Sequence, residues 1–159
     1  MIPRIENLEE KQLIGIELKM SMTNNRTSEL WRTFIARRAE IKKQVHSDLF
    51  SLQVFDADYF KHFNPANEFV KWALVEVEDF EFIPKGLAKF ILEEGLYAVF
   101  DYKGHPRDGA KFFTYIFTEW LPTSKYRLDQ RPHFERLGAK YKNDSSESEE
   151  EIWIPIRIK

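Results

Sequence analysis

The feature that most constrains this chain is a pattern of elements that occurs twice in the same order. Trp31, Phe34, Ile35, Ile41 and Val45 recur at near-helical spacing, which predicts an amphipathic helix over roughly 28–45, with Thr27 and Ser28 as candidate caps. A loosely alternating segment from Lys11 to Met20 precedes it. Phe50, Leu52 and Val54, then the β-branched, apolar run Phe69 to Val77, follow it as strands, joined by a connection from Asp56 to Asn67. Further on, Phe112, Phe113, Ile116, Phe117 and Trp120 form a second helical stripe, with Pro122 after its end. Leu87 to Leu92 and Leu96 to Tyr102 come before it and read as one long strand bent at Gly95. Pro132 to Tyr141 and the alternating Ile152, Ile154 and Ile156 come after it, separated by an acidic loop from Asn143 to Glu150. The order is strand–helix–strand–strand, twice, although no sequence identity links the halves. It predicts an α+β fold of two pseudo-repeated β-α-β-β units, an antiparallel sheet with helices on one side and a central groove where the halves meet.

Composition narrows the functions open to such a fold. A chain of 159 residues fits one domain, 1–159. There are no cysteines, which excludes a disulfide scaffold, a thiolate metal site and a cysteine nucleophile. The N-terminus lacks a signal-peptide core, and no stretch approaches a membrane span, so a cytoplasmic location is expected. The net charge of −2 gives no global case for binding nucleic acid or anionic lipid. His46, His62, His105 and His133 do not pair at metal-ligand spacing, and no metal or cofactor is expected. The Gly104–Gly109 turn lacks a phosphate-loop pattern, and no nucleophile elbow is present. What stands out is the 15% aromatic content, fourteen Phe, six Tyr and four Trp. Such rings serve either a core or the wall of a ligand cleft.

Two longer runs are recognisable. FVKWALVEVEDFEFIPKGLAKFILEEGLYAVFDYKG (Phe69 to Gly104) and FTEWLPTSKYRLDQRPHFERLG (Phe117 to Gly138) resemble the central blocks of GyrI-like effector-binding domains, and the ending SEEEIWIPIRIK resembles that family's last strand. The resemblance covers roughly 50–159 well and the N-terminal third by pattern alone. It implies a curved sheet around a central groove. It also implies a small-molecule-binding role of the kind found in AraC-type and MerR-type transcription regulators, for lipophilic and often cationic ligands. Other readings it allows are a hydrolase of cyclopropane-bearing natural products and a gyrase-inhibiting interaction protein. The pattern fills nearly the whole length, so direct sequence-specific DNA binding is not expected. A regulator or gyrase remains a conceivable protein partner.

The resemblance also singles out residues. Glu135, in the motif Pro132-His133-Phe134-Glu135, matches the family's groove carboxylate. It would attract a ligand cation, or act as a general acid or base if the chain is an enzyme. Glu119 and Trp120 lie in the helix motif Glu-Trp-Leu-Pro. Trp153 faces opposite to Ile152, Ile154 and Ile156, so it looks into the groove if those isoleucines pack under the helices. Tyr97, Trp72 and Phe60 are further candidates for the groove wall, each equally readable as core.

Overall fold

The computed structural model describes residues Met1–Lys159. Its strands are β1 (Arg4–Leu8), β2 (Lys11–Met20), β3 (Gln44–Val54), β4 (Phe69–Val77), β5 (Ala88–Leu92), β6 (Gly95–Lys103), β7 (Tyr126–Leu128), β8 (His133–Leu137) and β9 (Glu149–Ile158). Helix α1 spans Thr27–Arg37. Helix α2 (Gly109–Tyr115) runs on through a π turn, Ile116–Trp120, into a last turn, α3 (Leu121–Thr123). All strand pairs are antiparallel, in the order β1-β6-β9-β8-β3-β4-β2-β5, with β7 added beside β9. This order reads as two β-α-β-β units, β2-α1-β3-β4 and β6-α2-β8-β9, that meet at the β3–β8 pair.

Chain connectivity forces the sheet to curl. Leu8 ends β1 at one edge, and Lys11 begins β2 next to the other edge. In a flat sheet the two strands would lie about 29 Å apart, at roughly 4.8 Å per strand. The three peptide steps between them reach roughly 11 Å at most. Leu92 to Gly95 imposes the same constraint from β5 to β6. The two ends of the sheet are therefore drawn together, and one face becomes an interior. Leu8, Leu13, Phe50, Leu52, Trp72, Leu74, Leu92, Tyr97, Val99, Phe134 and Trp153 fill that interior as one cluster.

The opposite, outer face carries the helices. Leu30 and Phe34 of α1 pack on Ile14, Ala73, Val75 and Val77. Ile116 packs on Ala98, Phe100, Ile152, Ile154 and Ile156, flanked by Phe112 and Trp120. The alternation of each strand thus feeds two cores at once.

Several expected boundaries move, for identifiable reasons. Helix α1 ends at Arg37, and a short 3-10 turn (Arg38–Glu40) follows. Lys43 takes a left-handed φ of 57°, and β3 begins at the next residue, well before Phe50. Asn25 provides the helix-start contact in place of Thr27 or Ser28, its Oδ1 accepting from the Thr27 N–H at 3.0 Å. Pro122 lies inside the second helical run and not beyond it. It has no N–H for the Thr118 carbonyl, and the π turn just before it absorbs the mismatch. The two segments around Gly95 are separate strands, β5 at one edge of the sheet and β6 next to the other edge. The strand expected through Tyr141 stops at Leu137, where a turn closes from the Tyr141 N–H to the Gly138 carbonyl (3.1 Å). No helix is long and apolar enough to cross a membrane.

Candidate functional site

With α1 over one half of the outer face and α2 over the other, the β3–β8 seam between them is left to polar side chains. Ser51 pairs directly with Glu135, and Gln53 with His133. Glu135 in turn pairs with Ile152, so it points to the outer, helix-bearing side. By the same alternation Lys71 of β4 shares the face of Ala73 and Val75, and Glu150 of β9 shares the face of Ile152. The seam therefore gathers two carboxylates, one amine, an amide and a hydroxyl between two apolar slopes.

Glu135 keeps a fraction of its surface open, yet its carboxylate is closely walled in. Burial pushes its pKa up to about 7, against the opposing pull of Lys71 and a hydrogen bond from Gln53. With the Gln53 amide turned so that its nitrogen faces the carboxylate, it donates to Glu135 Oε2 at 3.1 Å and to the His133 carbonyl at 3.3 Å. The opposite orientation would set amide oxygen against carboxylate. Glu150 is also raised to about 7, by burial and by the Glu135 charge, again opposed by Lys71. Burial likewise lifts the Tyr141 phenol, and Glu150 and Glu135 add to the shift. The Lys71 ammonium donates to Thr27 Oγ1 of α1 at 3.2 Å, and burial lowers its pKa.

One end of the seam is closed by aromatic rings. The 55–68 connection brings Phe55 and Phe60 onto the ring of His133, with centroids 4.9 and 5.4 Å away, and Phe117 of the π turn lies 6.1 Å from the same ring. Phe60 and Phe117 stack on each other at 5.3 Å. Burial holds His133 down at about 3, so the ring is neutral near pH 7. Tyr59 packs on Phe55 at 4.5 Å, and its hydroxyl is buried without a partner. A cavity of about 790 Å³ lies at this connection, lined by Phe55, Tyr59 and Phe69 with Lys19 and Asp58. Glu135 does not line it.

The residues singled out in the sequence separate into three groups. Glu135 and Phe60 come together at the seam. Trp72, Tyr97 and Trp153 lie on the interior face, opposite to Glu135. There Trp153 stacks on Phe134 at 5.2 Å, and Tyr97 donates its hydroxyl to the Pro132 carbonyl at 2.8 Å. The isoleucines of β9 do pack under α2, and the face opposite to them, which carries Trp153, is the interior of the curl. Trp120 packs edge-on against Phe100 at 5.2 Å, in the core under α2, and Glu119 is exposed on the same turn. Sequence reasoning passed over Lys71, Gln53, Tyr141, Phe117, His133 and Glu150. For Lys71 a signal existed: it sits two residues from Ala73 on the same face of an apolar strand.

The family model of the GyrI-like small molecule binding domain matches residues 1–157. No curated protein matches by sequence. Among solved structures, SAV2435 bound to tetraphenylphosphonium superposes with a TM-score of 0.78 at 16% identity, over 99% of this chain and 94% of that one. The C-terminal domain of EcmrR gives 0.70 at 14% identity, over 98% and 97%. A hydrolase from Listeria innocua gives 0.61 at 11% identity, over 98% and 92%. At these identities the likeness is one of fold.

Proposed function

Because the chain belongs to the GyrI-like small-molecule-binding domain family, we propose that its ligand is a lipophilic organic cation held between α1 and α2, over Glu135. The observation that carries this reading is the pair of desolvated carboxylates, Glu135 and Glu150, on one face of the seam beside a cluster of aromatic rings. A carboxyl raised to about 7 by burial lacks the solvation its ionised form needs. A ligand cation restores the interaction that water no longer supplies, while Phe60, Phe117 and Tyr141 offer ring faces for its apolar groups. The space is made by displacement of the 55–68 connection, whose Phe60 and Phe63 are already partly exposed. The role of such a module is capture of the ligand, either as a sensor feeding transcription control or as a sink for a toxic cation. It involves no sequence-specific contact of this chain with DNA.

The test uses two ions of one shape. Tetraphenylphosphonium should saturate and quench tryptophan fluorescence, with a Kd on the order of micromolar (about −8 kcal/mol). Tetraphenylborate, the same tetrahedron of rings with the opposite charge, should bind at least ten times more weakly. Equal binding of the two ions would leave only an apolar surface.

A second reading has one observation in its favour. A carboxyl with a pKa of about 7 beside a second one is poised for proton transfer at neutral pH. A hydrolase built on this site would use Glu135 to protonate a leaving carbon or activate water. The discriminating measurement is the mass of the ligand after incubation: unchanged for capture, increased by one water for hydrolysis.

A further inference from the structure

Lys71 has no assigned task in the binding reading, and its setting is unusual for a lysine. It lies mid-strand on β4, on the face that otherwise packs under α1, between Phe69 and Ala73 of the same alternation. Its ammonium has a single hydrogen-bond partner, the Thr27 hydroxyl at 3.2 Å. Elsewhere the molecule spends lysines on surface carboxylates, as Lys43 does on Asp79 and Glu81 at 3.1 and 3.0 Å. A buried amine without a carboxylate partner is costly. The groups that offset the cost are the two seam carboxylates, which act on it through space.

We propose that Lys71 sets the charge of the ligand: it balances one of the two carboxylates Glu135 and Glu150, leaves one in surplus, and so makes the seam selective for monocations over dications. This rests on the binding reading above and refines it. The seam has two anions, Glu135 on β8 and Glu150 on β9, and one tethered cation, Lys71, on β4. Above about pH 7, where both carboxylates are ionised, its net charge is −1. A ligand with one positive charge neutralises it. A ligand with two leaves an excess charge inside a desolvated site, facing an ammonium that cannot withdraw without leaving Thr27. The physical basis is that like charges in a poorly solvated site repel far more strongly than in water.

The experiment compares two flat bicyclic cations of nearly equal size, 1-methyl-4-phenylpyridinium with one charge and 1,1′-dimethyl-4,4′-bipyridinium with two. They are titrated into the intact chain and into Lys71→Met, which keeps the aliphatic stem and removes the charge. The unaltered protein should favour the monocation at least ten-fold. In Lys71→Met that ratio should fall to near one or invert. Thr27→Val breaks the amine's hydrogen bond but keeps its charge, so it should lower stability and leave the ratio within about two-fold. If Lys71→Met does not fold, Lys71→Gln serves in its place. A ratio in the folded variant that stays within two-fold of the unaltered protein's overturns the charge-setting role. If the unaltered protein binds neither cation nor tetraphenylphosphonium, it is the cation-binding reading itself that falls.

Discussion

Phe60 lies nearly parallel to the ring of His133, with centroids 5.4 Å apart and planes 18° apart, so a loop of the first half is stacked on a strand of the second. Because Phe60 is still 39% exposed, the contact is a cover and not a core joint. Phe60→Ala should therefore cost little stability, about 1 kcal/mol or less by thermal melting. It should weaken tetraphenylphosphonium binding by roughly five-fold, the loss expected for one ring–cation contact. A large fall in melting temperature with unchanged affinity would identify Phe60 as structural and remove it from the site.

The seam also makes a statement about pH. Glu135 and Glu150 have folded pKa values of about 7 against ordinary values of 4.5. Between those limits the folded state holds more protons than the unfolded one, so these two groups lower stability as pH rises from about 4.5 to 7. His133 acts in the opposite sense. Its folded value of about 3 against 6.5 means that the unfolded state holds the extra proton, so its contribution to stability is lost as pH falls from about 6.5 towards 3. Denaturant melts of the double variant Glu135→Gln, Glu150→Gln across pH 4.5 to 7 should show a slope more positive than that of the unaltered chain. The difference should approach about 1.4 kcal/mol per pH unit for each carboxyl removed. Parallel slopes would mean that neither carboxyl is desolvated in solution.

Trp153 tests the division between the two faces of the sheet. It is stacked on Phe134, sits edge-on to Tyr97 at 5.8 Å, and donates its indole N–H to Glu151 at 3.1 Å. Trp153→Ala should cost about 3–5 kcal/mol, the range for emptying an aromatic core position. The fraction that remains folded should bind tetraphenylphosphonium with unchanged affinity. Retained stability together with lost binding would move the ligand to the interior face.

The sequence made the α+β class and the two-fold order of elements legible because strand and helix periods are local signals. Trp31, Phe34 and Ile116 announce the helices wherever the strands end up. What sequence could not show was the curl. The short links Leu8–Lys11 and Leu92–Gly95 carry it, but only once the strand order is known. The curl decides that the face of Trp72, Tyr97 and Trp153 is a closed core. Glu135 was legible through its motif. Glu150 was not, because it falls at the end of an acidic run that reads as a loop, and only pairing with Tyr102 in the sheet turns it towards Glu135. Lys71 was passed over within an apolar strand, although a lysine on the Ala73–Val75 face was itself the anomaly.

The central claim is that Glu135 holds the positive charge of the ligand, and Glu135→Gln tests it most directly because the shape stays and the charge goes. Calorimetric titration with tetraphenylphosphonium should show a loss of roughly ten-fold or more, on the order of the 1.5–3 kcal/mol carried by a contact to a charged group. Tetraphenylborate binding should stay the same or improve, and the melting temperature should hold or rise as a desolvated charge is removed. Unchanged affinity for tetraphenylphosphonium in a fully folded Glu135→Gln variant would contradict the account.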